Sequence, residues 1–413
     1  MTIEEIENQI VDEFSMVDMW LAEKFFERMK INARIVLVGD PDQLPSVGPG
    51  RLFDHLIRSG IVPVVRLTEI FRQAQKSDIV MNAHAVNEGH MPTPSAADGD
   101  FFFMKRGDAA SVIETVAQLC SQRLPAHYGF SPSQIQVLSP ARRQGSGTAA
   151  LNRRLQEALN PPSENRREKR FGDLVFREGD RVMQTRNDYD VLWEREDGTA
   201  GAGIFNGDVG KILQIDPSGE LISIAFDDRV AAYTADMLAE LDMAYAMTVH
   251  KAQGSEYRAV VLLSAPAASS LMVRGVLYTA LTRARELLIL VGDDGIPGRM
   301  AANDRKARRY SGLRSGHGDR CRSRDLGAHR RLLSDLGSDR RDGGHPRLAD
   351  RRLRHAGHVR GDLSRRHHAD HRGGAASRQS DRVRTGAGHH RLYIGHRGHH
   401  RARPDRQFFR HAF

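Results

Sequence analysis

Gln9-Ile10-Val11-Asp12-Glu13-Phe14-Ser15-Met16-Val17-Asp18 carries an apolar run straight into two adjacent carboxylates. Ser15 then opens a helical pattern. Met16, Met19, Trp20, Phe26 and Met29 recur at helical spacing and predict an amphipathic helix from Met16 to Lys30. Ile35-Val36-Leu37-Val38 follows as a short apolar strand, closed by Gly39-Asp40. Strand, helix and strand at these lengths make a βαβ crossover with parallel strands, which sets the fold class as α/β. Asp12 and Glu13 then fall at the carboxyl end of a buried strand, the edge where open α/β sheets meet their ligands. One carboxylate there can hold a hydrated Mg²⁺ while its neighbour orients or deprotonates a water, the acidic half of a nucleotide-hydrolysing site. A strand ending in two solvated acids accounts for this stretch, taken alone, equally well.

The second strand delivers Gly39-Asp40-Pro41-Asp42-Gln43-Leu44-Pro45-Ser46-Val47-Gly48-Pro49-Gly50 to the same edge. Prolines and glycines fix such a loop, so Gln43 is expected to be held. A rigid amide beside two acids can hydrogen-bond a terminal phosphate or the water attacking it; an ordinary Pro/Gly turn is the alternative. Val64-Val65-Arg66-Leu67 predicts a further strand, with Arg72 just past it, where a guanidinium could reach phosphate oxygens. A lone arginine in that position is more often a surface ion pair.

Further on, Ile135-Gln136-Val137-Leu138-Ser139-Pro140 reads as a strand entering a glycine-rich turn at Gly145–Gly147, and Leu151–Gln156 as a basic helix. From Gly172 to Asp236 the pattern changes to short strands (Arg181–Gln184, Gly210–Ile215, Leu221–Phe226) separated by Asn206-Gly207-Asp208 and Asp216-Pro217-Ser218-Gly219. These predict a small inserted β-barrel. Two more apolar strands, Ala259–Leu263 and Leu287–Asp293, are each preceded by a polar segment: Thr248-Val249-His250-Lys251-Ala252-Gln253-Gly254-Ser255-Glu256-Tyr257 and Leu277-Tyr278-Thr279-Ala280-Leu281-Thr282-Arg283-Ala284-Arg285.

The 413 residues allow two or three domains with real cores. With only Cys120 and Cys321 there is no disulfide framework and no paired zinc spacing. No apolar run approaches the ~18 residues of a membrane span, and acids occupy the first residues where a signal peptide would be basic and apolar. The expectation is a cytoplasmic protein without membrane contact. The net charge of +9 divides unevenly: residues 313–413 hold 25 Arg, 10 Asp and neither Lys nor Glu, +15 in all, which leaves −6 on 1–312. Net charge therefore does not mark the body as a nucleic-acid binder. The tail, with 14 of the 19 histidines, has no apolar periodicity to build a core and is expected to be disordered. It reads either as an RNA- or metal-binding tail or, as we favour, as a G+C-rich gene translated out of frame. One uninterrupted frame retaining these codons across related isolates would defeat the second reading.

The series DEFSMVD (Asp12–Asp18), GDPDQLPSVGPG (Gly39–Gly50), LTEIFRQ (Leu67–Gln73), NAH (Asn82–His84), Thr248–Tyr257 and Leu277–Arg285 resembles the motifs of RecD-like superfamily 1 DNA helicases, the exodeoxyribonuclease V alpha-subunit family. The resemblance covers about residues 5–312, and each motif lies beside the strand it needs. It implies two RecA-like parallel-sheet domains, the first incomplete, with an SH3-like barrel inserted in the second. The expected domains are 1–95, then 96–172 with 237–312, the barrel at 173–236 and the tail at 313–413. It further implies ATP and Mg²⁺ as cofactors, with Asp12 holding the metal, Glu13 as base and Gln43 as γ-phosphate sensor. Arg72 and Arg283 would be arginine fingers reaching across the cleft, Gly254 and Glu256 cleft lining, and Thr248 and His250 contacts to single-stranded DNA; His84 reads as structural. The implied activity is ATP-dependent 5′→3′ movement on DNA in repair or recombination, on single- or double-stranded DNA, with RecB- and RecC-like subunits as candidate partners.

One departure matters: no G-x-x-x-x-G-K-[ST] occurs, and Met1 stands close before the acidic pair. The phosphate-cradling loop, its Lys and its Ser/Thr are missing, so the chain reads as clipped at its front and as hydrolysing ATP only at background rates alone. The helicase portion of a conjugative relaxase, or a non-catalytic DNA-binding subunit, are the alternatives.

Overall fold

The computed structural model describes residues 9–30, 32–67, 74–142 and 145–305. Arg72 and the tail 313–413 lie outside the described residues.

Strands β1 (Gln9–Val11) and β2 (Ile35–Leu37) pair in parallel, Gln9 opposite Ile35 and Val11 opposite Leu37, as the crossover pattern requires. The connecting helix α1 (Met19–Glu27) is shorter than its pattern predicts. Phe14–Met16 forms a separate 3₁₀ turn, and the helix starts where the Asp18 carboxylate accepts the Leu21 N–H at 2.8 Å. Of α1 only Ala22 is buried, and Trp20 and Leu21 are exposed. Two described strands give the apolar stripe too little sheet to cover. Helix α2 (Leu52–Ser59) does better, burying Leu52 and Leu56 and ending at the left-handed Gly60. The strand expected at Val64–Leu67 is absent: the segment is irregular, with Val65 87% and Leu67 96% exposed. No described strand stands beside it to satisfy a ladder, so β-propensity alone leaves it unpaired.

After α3 (Asp78–Asn87) the chain builds the main sheet. In order come β3 (Phe101–Lys105), α4 (Ala109–Gln118), α5 (Leu124–Tyr128), β4 (Ile135–Ser139) and α6 (Thr148–Leu159). A separate antiparallel pair, β5 (Glu168–Phe171) and β6 (Leu174–Arg177), comes next, and then the strands of the insert, β7 (Arg181–Gln184), β8 (Asp188–Arg195), β9 (Ala200–Ile204), β10 (Val209–Ile215), β11 (Leu221–Phe226) and β12 (Arg229–Thr234). The chain returns through β13 (Leu241–Met243), β14 (Ala246–Thr248), β15 (Tyr257–Ser264), α7 (Arg274–Leu281), β16 (Ala284–Gly292) and α8 (Gly295–Ala302).

The main sheet is wholly parallel, in the order β14-β4-β15-β16-β3. Helices cover both faces, which is why its strands read as unbroken apolar runs. Val261 and Leu263 of β15 pack into the cluster of α4 and α6, while Val260 and Leu262 pack into that of α3, α7 and α8. The insert is an antiparallel sheet, β13-β7-β10-β11-β12-β8-β9, packed around Val182, Ile212, Ile222, Ile224, Phe226 and Tyr233. Its hairpin β8–β9 and its strand β12 were not foreseen in the sequence, where Gly201 and Gly203 break the alternation.

Asp180 fastens the insert to the main sheet. It is fully buried and accepts from Gln156 Nε2 at 2.6 Å, Asn160 Nδ2 at 2.7 Å, the Tyr245 hydroxyl at 2.8 Å and the Arg177 N–H at 2.7 Å. Burial pushes its carboxyl above the ordinary carboxylate range, against the pull of these four donors. No described helix is long and apolar enough to cross a membrane.

Candidate functional site

The acidic pair sits where parallel β1 ends. Val38 N–H bonds to the Val11 carbonyl and Phe14 N–H to the Val38 carbonyl, both at 2.8 Å, so the chain turns sharply between them. Glu13 makes that turn in left-handed backbone, φ 52° and ψ 35°. Among the described residues only Glu13 and Asp227 do so without being glycine. A non-glycine residue held there costs about 1–3 kcal/mol, and such strain clusters at functional sites. Asp12 Oδ1 accepts the Glu13 N–H at 2.7 Å, which fixes the two acids relative to each other.

Just beyond, Ser15 is buried with its Oγ unpartnered, and Gln43 Oε1 is likewise unpartnered. Both face a cavity of about 20 Å³ that Asp40, Pro41, Pro45, Arg51, Phe53 and Asp54 also line. That is room for one water, not for a nucleotide. Two orphaned oxygens around a water-sized space are the arrangement expected where a water is held for use. Gln43 thus lines the same space as Ser15, which follows the acid pair. Gly39 is why this is possible: a Cβ there would stand 3.0 Å from Ser15 N and 3.2 Å from Phe14 N.

The other end of the Gln43 loop is bonded to the main-sheet side of the molecule. Leu44 is buried in the α3–α7–α8 cluster. Its N–H donates to Thr279 Oγ1 at 2.8 Å, and its carbonyl accepts from Gln253 Nε2 at 2.6 Å. The Tyr278 hydroxyl donates to Asp40 Oδ2 at 2.9 Å, and Asn87 Nδ2 donates to Asp42 Oδ2 at 2.9 Å. Burial, then Asp40, pushes the Tyr278 phenol well above its ordinary range, keeping it a donor. Leu44, Gln253, Tyr278 and Thr279 were not singled out from sequence. All four stand inside the quoted motifs, yet a pairing 209 or 235 residues apart leaves no periodic mark.

Gly254 has φ +75°, and the position of a Cβ on it lies 3.7 Å from Met16 Sδ, so this turn meets the acid-bearing turn directly. Next to it, Arg283 is 3% exposed. Its guanidinium donates to the carbonyls of Thr279 and Ser255 and to Thr282 Oγ1, each at 3.2 Å. Among the described residues no carboxylate pairs with it. A buried cation satisfied by carbonyls and a hydroxyl keeps its charge unneutralised, and an anion could neutralise it. Glu256 points elsewhere, pairing with Arg285 at 3.4 Å on the surface. Thr248 ends β14, and His250 lies in the 3₁₀ turn Val249–Ala252 that follows. Gln43 thus shares a cavity with Ser15 of the acid-bearing turn, Gly254 meets Met16 of that turn, and Arg283 bonds Ser255 next to Gly254; Thr248 and His250 stand earlier on the Gly254 segment, and Arg72 is outside the described residues.

A parallel sheet clad on both faces, a second parallel pair ending in adjacent acids, and a barrel spliced into the chain together define a helicase-like α/β protein. The ATP-dependent RecD-like DNA helicase SH3 domain family matches residues 151–226, an AAA domain matches 2–101 and the UvrD-like helicase C-terminal domain matches 243–291. The ATP-dependent RecD2 DNA helicase of Deinococcus radiodurans is 34% identical over 299 residues, 72% of this chain and 38% of that protein. The RecBCD enzyme subunit RecD of Mycobacterium tuberculosis is 30% identical over 324 residues, 74% of this chain and 52% of that protein. The chain thus spans about half the length, or less, of these relatives. Among solved structures, the Pif1 helicase from Bacteroides in complex with ADP-AlF3 and ssDNA matches at a TM-score of 0.41 and 17% identity, covering 71% of this chain and 72% of that one. The chain belongs to the RecD-like superfamily 1 helicases.

Proposed function

We propose that the chain is the motor portion of an ATP-dependent, RecD-like DNA helicase that steps 5′→3′ on single-stranded DNA in the cytoplasm. The observation that carries this reading is the meeting of the strained Glu13 turn with the Gly254 turn, beside an arginine buried without a carboxylate. Residues 1–95 would form one lobe of the motor, 96–172 with 237–312 the other, and 173–236 the barrel.

Each residue's part follows from chemistry. Glu13 takes a proton from the attacking water, and Gln43 Oε1 and Ser15 Oγ hold that water in line. Arg283 offers its guanidinium to charge developing on the transferred phosphoryl group. Arg72 acts as a second finger, Gly254 lines the cleft while Glu256, paired with Arg285 on the surface, does not, and Thr248 and His250 hold the DNA backbone. The donor set suits Mg²⁺ arriving with a nucleotide. Asp12 supplies one carboxylate, and no group of three metal-binding side chains exists among the described residues. One or two carboxylates plus phosphate oxygens and waters is how Mg²⁺ is usually held; held by Asp12 it would supply positive charge against the nucleotide's phosphates. RecB- and RecC-like subunits are the partners this family reading suggests.

Because the 413 residues hold no phosphate-loop sequence, hydrolysis by this chain alone is expected at background. The test is DNA-stimulated ATP hydrolysis by the chain, and by the chain joined to the phosphate-loop segment of the Deinococcus relative. Strong activity from the chain alone refutes the expected inactivity. Activity of the joined protein that survives Glu13→Gln refutes the role given to Glu13.

A further inference from the structure

A row of charged side chains lies where the barrel meets the carboxyl end of the main sheet, and the roles above do not use it. Lys251 comes from the 3₁₀ turn after β14, Arg142 from the loop after β4, and Arg186 from the end of β7. Between them runs the start of β13, which pairs antiparallel with β7, Leu241 opposite Gln184 and Met243 opposite Val182. Glu240 ends the 3₁₀ turn Ala235–Glu240 that leads into the strand, and Asp242 is the middle residue of β13.

Each carboxylate holds one of the arginines. Arg142 Nη2 lies 2.9 Å from Asp242 Oδ2, and Arg186 Nη1 lies 3.7 Å from Glu240 Oε1. The partners are unequally fixed. The side chains of Asp242 and Glu240 are 24% and 19% exposed, against 63% and 64% for Arg142 and Arg186. Glu240 is further pinned, accepting Gln184 Nε2 at 2.9 Å while its backbone carbonyl takes the Thr185 N–H at 2.8 Å. The acids are built into the sheet, while the guanidiniums sit on solvated stems free to swing outward. Lys251 is half-buried beside them. Burial depresses its ammonium most; Asp242 opposes this and Arg142 adds to it. Three cations against two acids leave a net positive row directly beside Thr248 and His250. The row stops at the hairpin, where Asp188 and Asp190 turn the surface acidic.

We propose that Lys251, Arg142 and Arg186 form a phosphate track for single-stranded DNA, and that Asp242 and Glu240 hold its arginines when no DNA is bound, as a competitor built into the barrel's last strand. This rests on the DNA-motor reading and adds to it a device that weakens binding. A phosphate takes over an arginine by displacing a carboxylate, so the track releases DNA more readily than three unopposed cations would. Such weakening suits a protein that must let go at every step. An exposed ion pair of this kind is worth a factor of about two to five in an equilibrium.

The test is oligo(dT) binding to the full chain by fluorescence anisotropy across salt concentrations, with hydrogen exchange reporting where the DNA sits. Asp242→Asn is expected to tighten binding about two- to fivefold. Arg142→Gln is expected to weaken it and to lower the salt slope by about 0.7, and the double variant to show no gain over Arg142→Gln alone. Residues 240–252 should gain exchange protection with oligo(dT). If Asp242→Asn binds as the native chain does while Thr248→Ala or His250→Ala weakens binding, the competitor is wrong and the DNA reading stands. Protection confined to 313–413, with none within 9–305, overturns both.

Discussion

Replacing Thr279 by valine removes one hydroxyl and changes almost nothing else. Thr279 is fully buried, so Val fills the same space and leaves no cavity. What is lost is the acceptor for the Leu44 N–H, which becomes an orphan inside the α3–α7–α8 cluster. A buried unsatisfied donor costs about 1–3 kcal/mol. Leu44→Ala acts on the same joint by another route, since truncating a buried leucine costs about 2–5 kcal/mol. If the loop seats as a unit, the two losses overlap: once the leucine plug is gone the loop leaves its socket and the hydroxyl has nothing to accept. The double variant should then lie about 0.5–3 kcal/mol short of the sum of the singles. Urea unfolding of the four proteins gives the cycle, and hydrogen exchange at the Leu44 amide reads the seat directly. Thr279→Val with native stability and unchanged protection of that amide would show that the loop is not held there and that Gln43 is not seated through it.

Other expectations are quicker to check. Tyr278→Phe removes a bond to the Asp40 carboxylate, of a kind worth about 1.5–3 kcal/mol, and should be read in the same urea assay. Asp180→Ala strips the acceptor from four donors and should destabilise by at least about 3 kcal/mol, with Asp180→Asn milder. Because burial raises the folded-state pKa of Asp180, its titration favours the folded chain most below the ordinary carboxylate range. That contribution is lost as pH rises through the raised value, so Asp180→Asn should flatten this part of the stability profile. Lys251 behaves oppositely: its folded-state pKa is lowered, so affinity for oligo(dT) should fall as pH rises through that lowered value, below the ordinary lysine range, and Lys251→Gln should abolish this fall. Burial pushes the Cys120 thiol up to about 12, so iodoacetamide should modify it only as the chain unfolds.

Wherever strands are buried on both faces, the sequence was easy to read. Val260-Val261-Leu262-Leu263 and Leu287-Leu288-Ile289-Leu290 could be nothing but central strands, and the structure places them side by side. Val64-Val65-Arg66-Leu67 looks similar in composition and forms no strand, because a strand needs a neighbour and composition does not say whether one is there. The stripe on α1 misleads in the same way. At the candidate site, the position of Asp12 and Glu13 at the end of β1 and of Gln43 in the loop after β2 was legible, because the apolar runs of those strands stop before them. The contacts that seat them were not. Leu44, Gln253 and Thr279 meet only through the tertiary fold, and Ser15 looks in sequence like the first residue of a helix.

Gly39 lies against the acid-bearing turn, and Leu44 is seated in the main-sheet cluster. Four residues lie between them, five Cα-to-Cα steps that reach at most about 18 Å when fully drawn out. Most surface loops absorb an inserted residue at little thermodynamic cost. This one is held at both ends and folded between them, with a turn at Pro41–Asp42 where Asp40 Oδ1 accepts the Asp42 N–H at 2.9 Å, so a residue added or removed would disturb that turn or one of its two anchored ends. Loop length here should therefore tolerate change far less than loop composition, with Pro41 more replaceable than the count of residues around it.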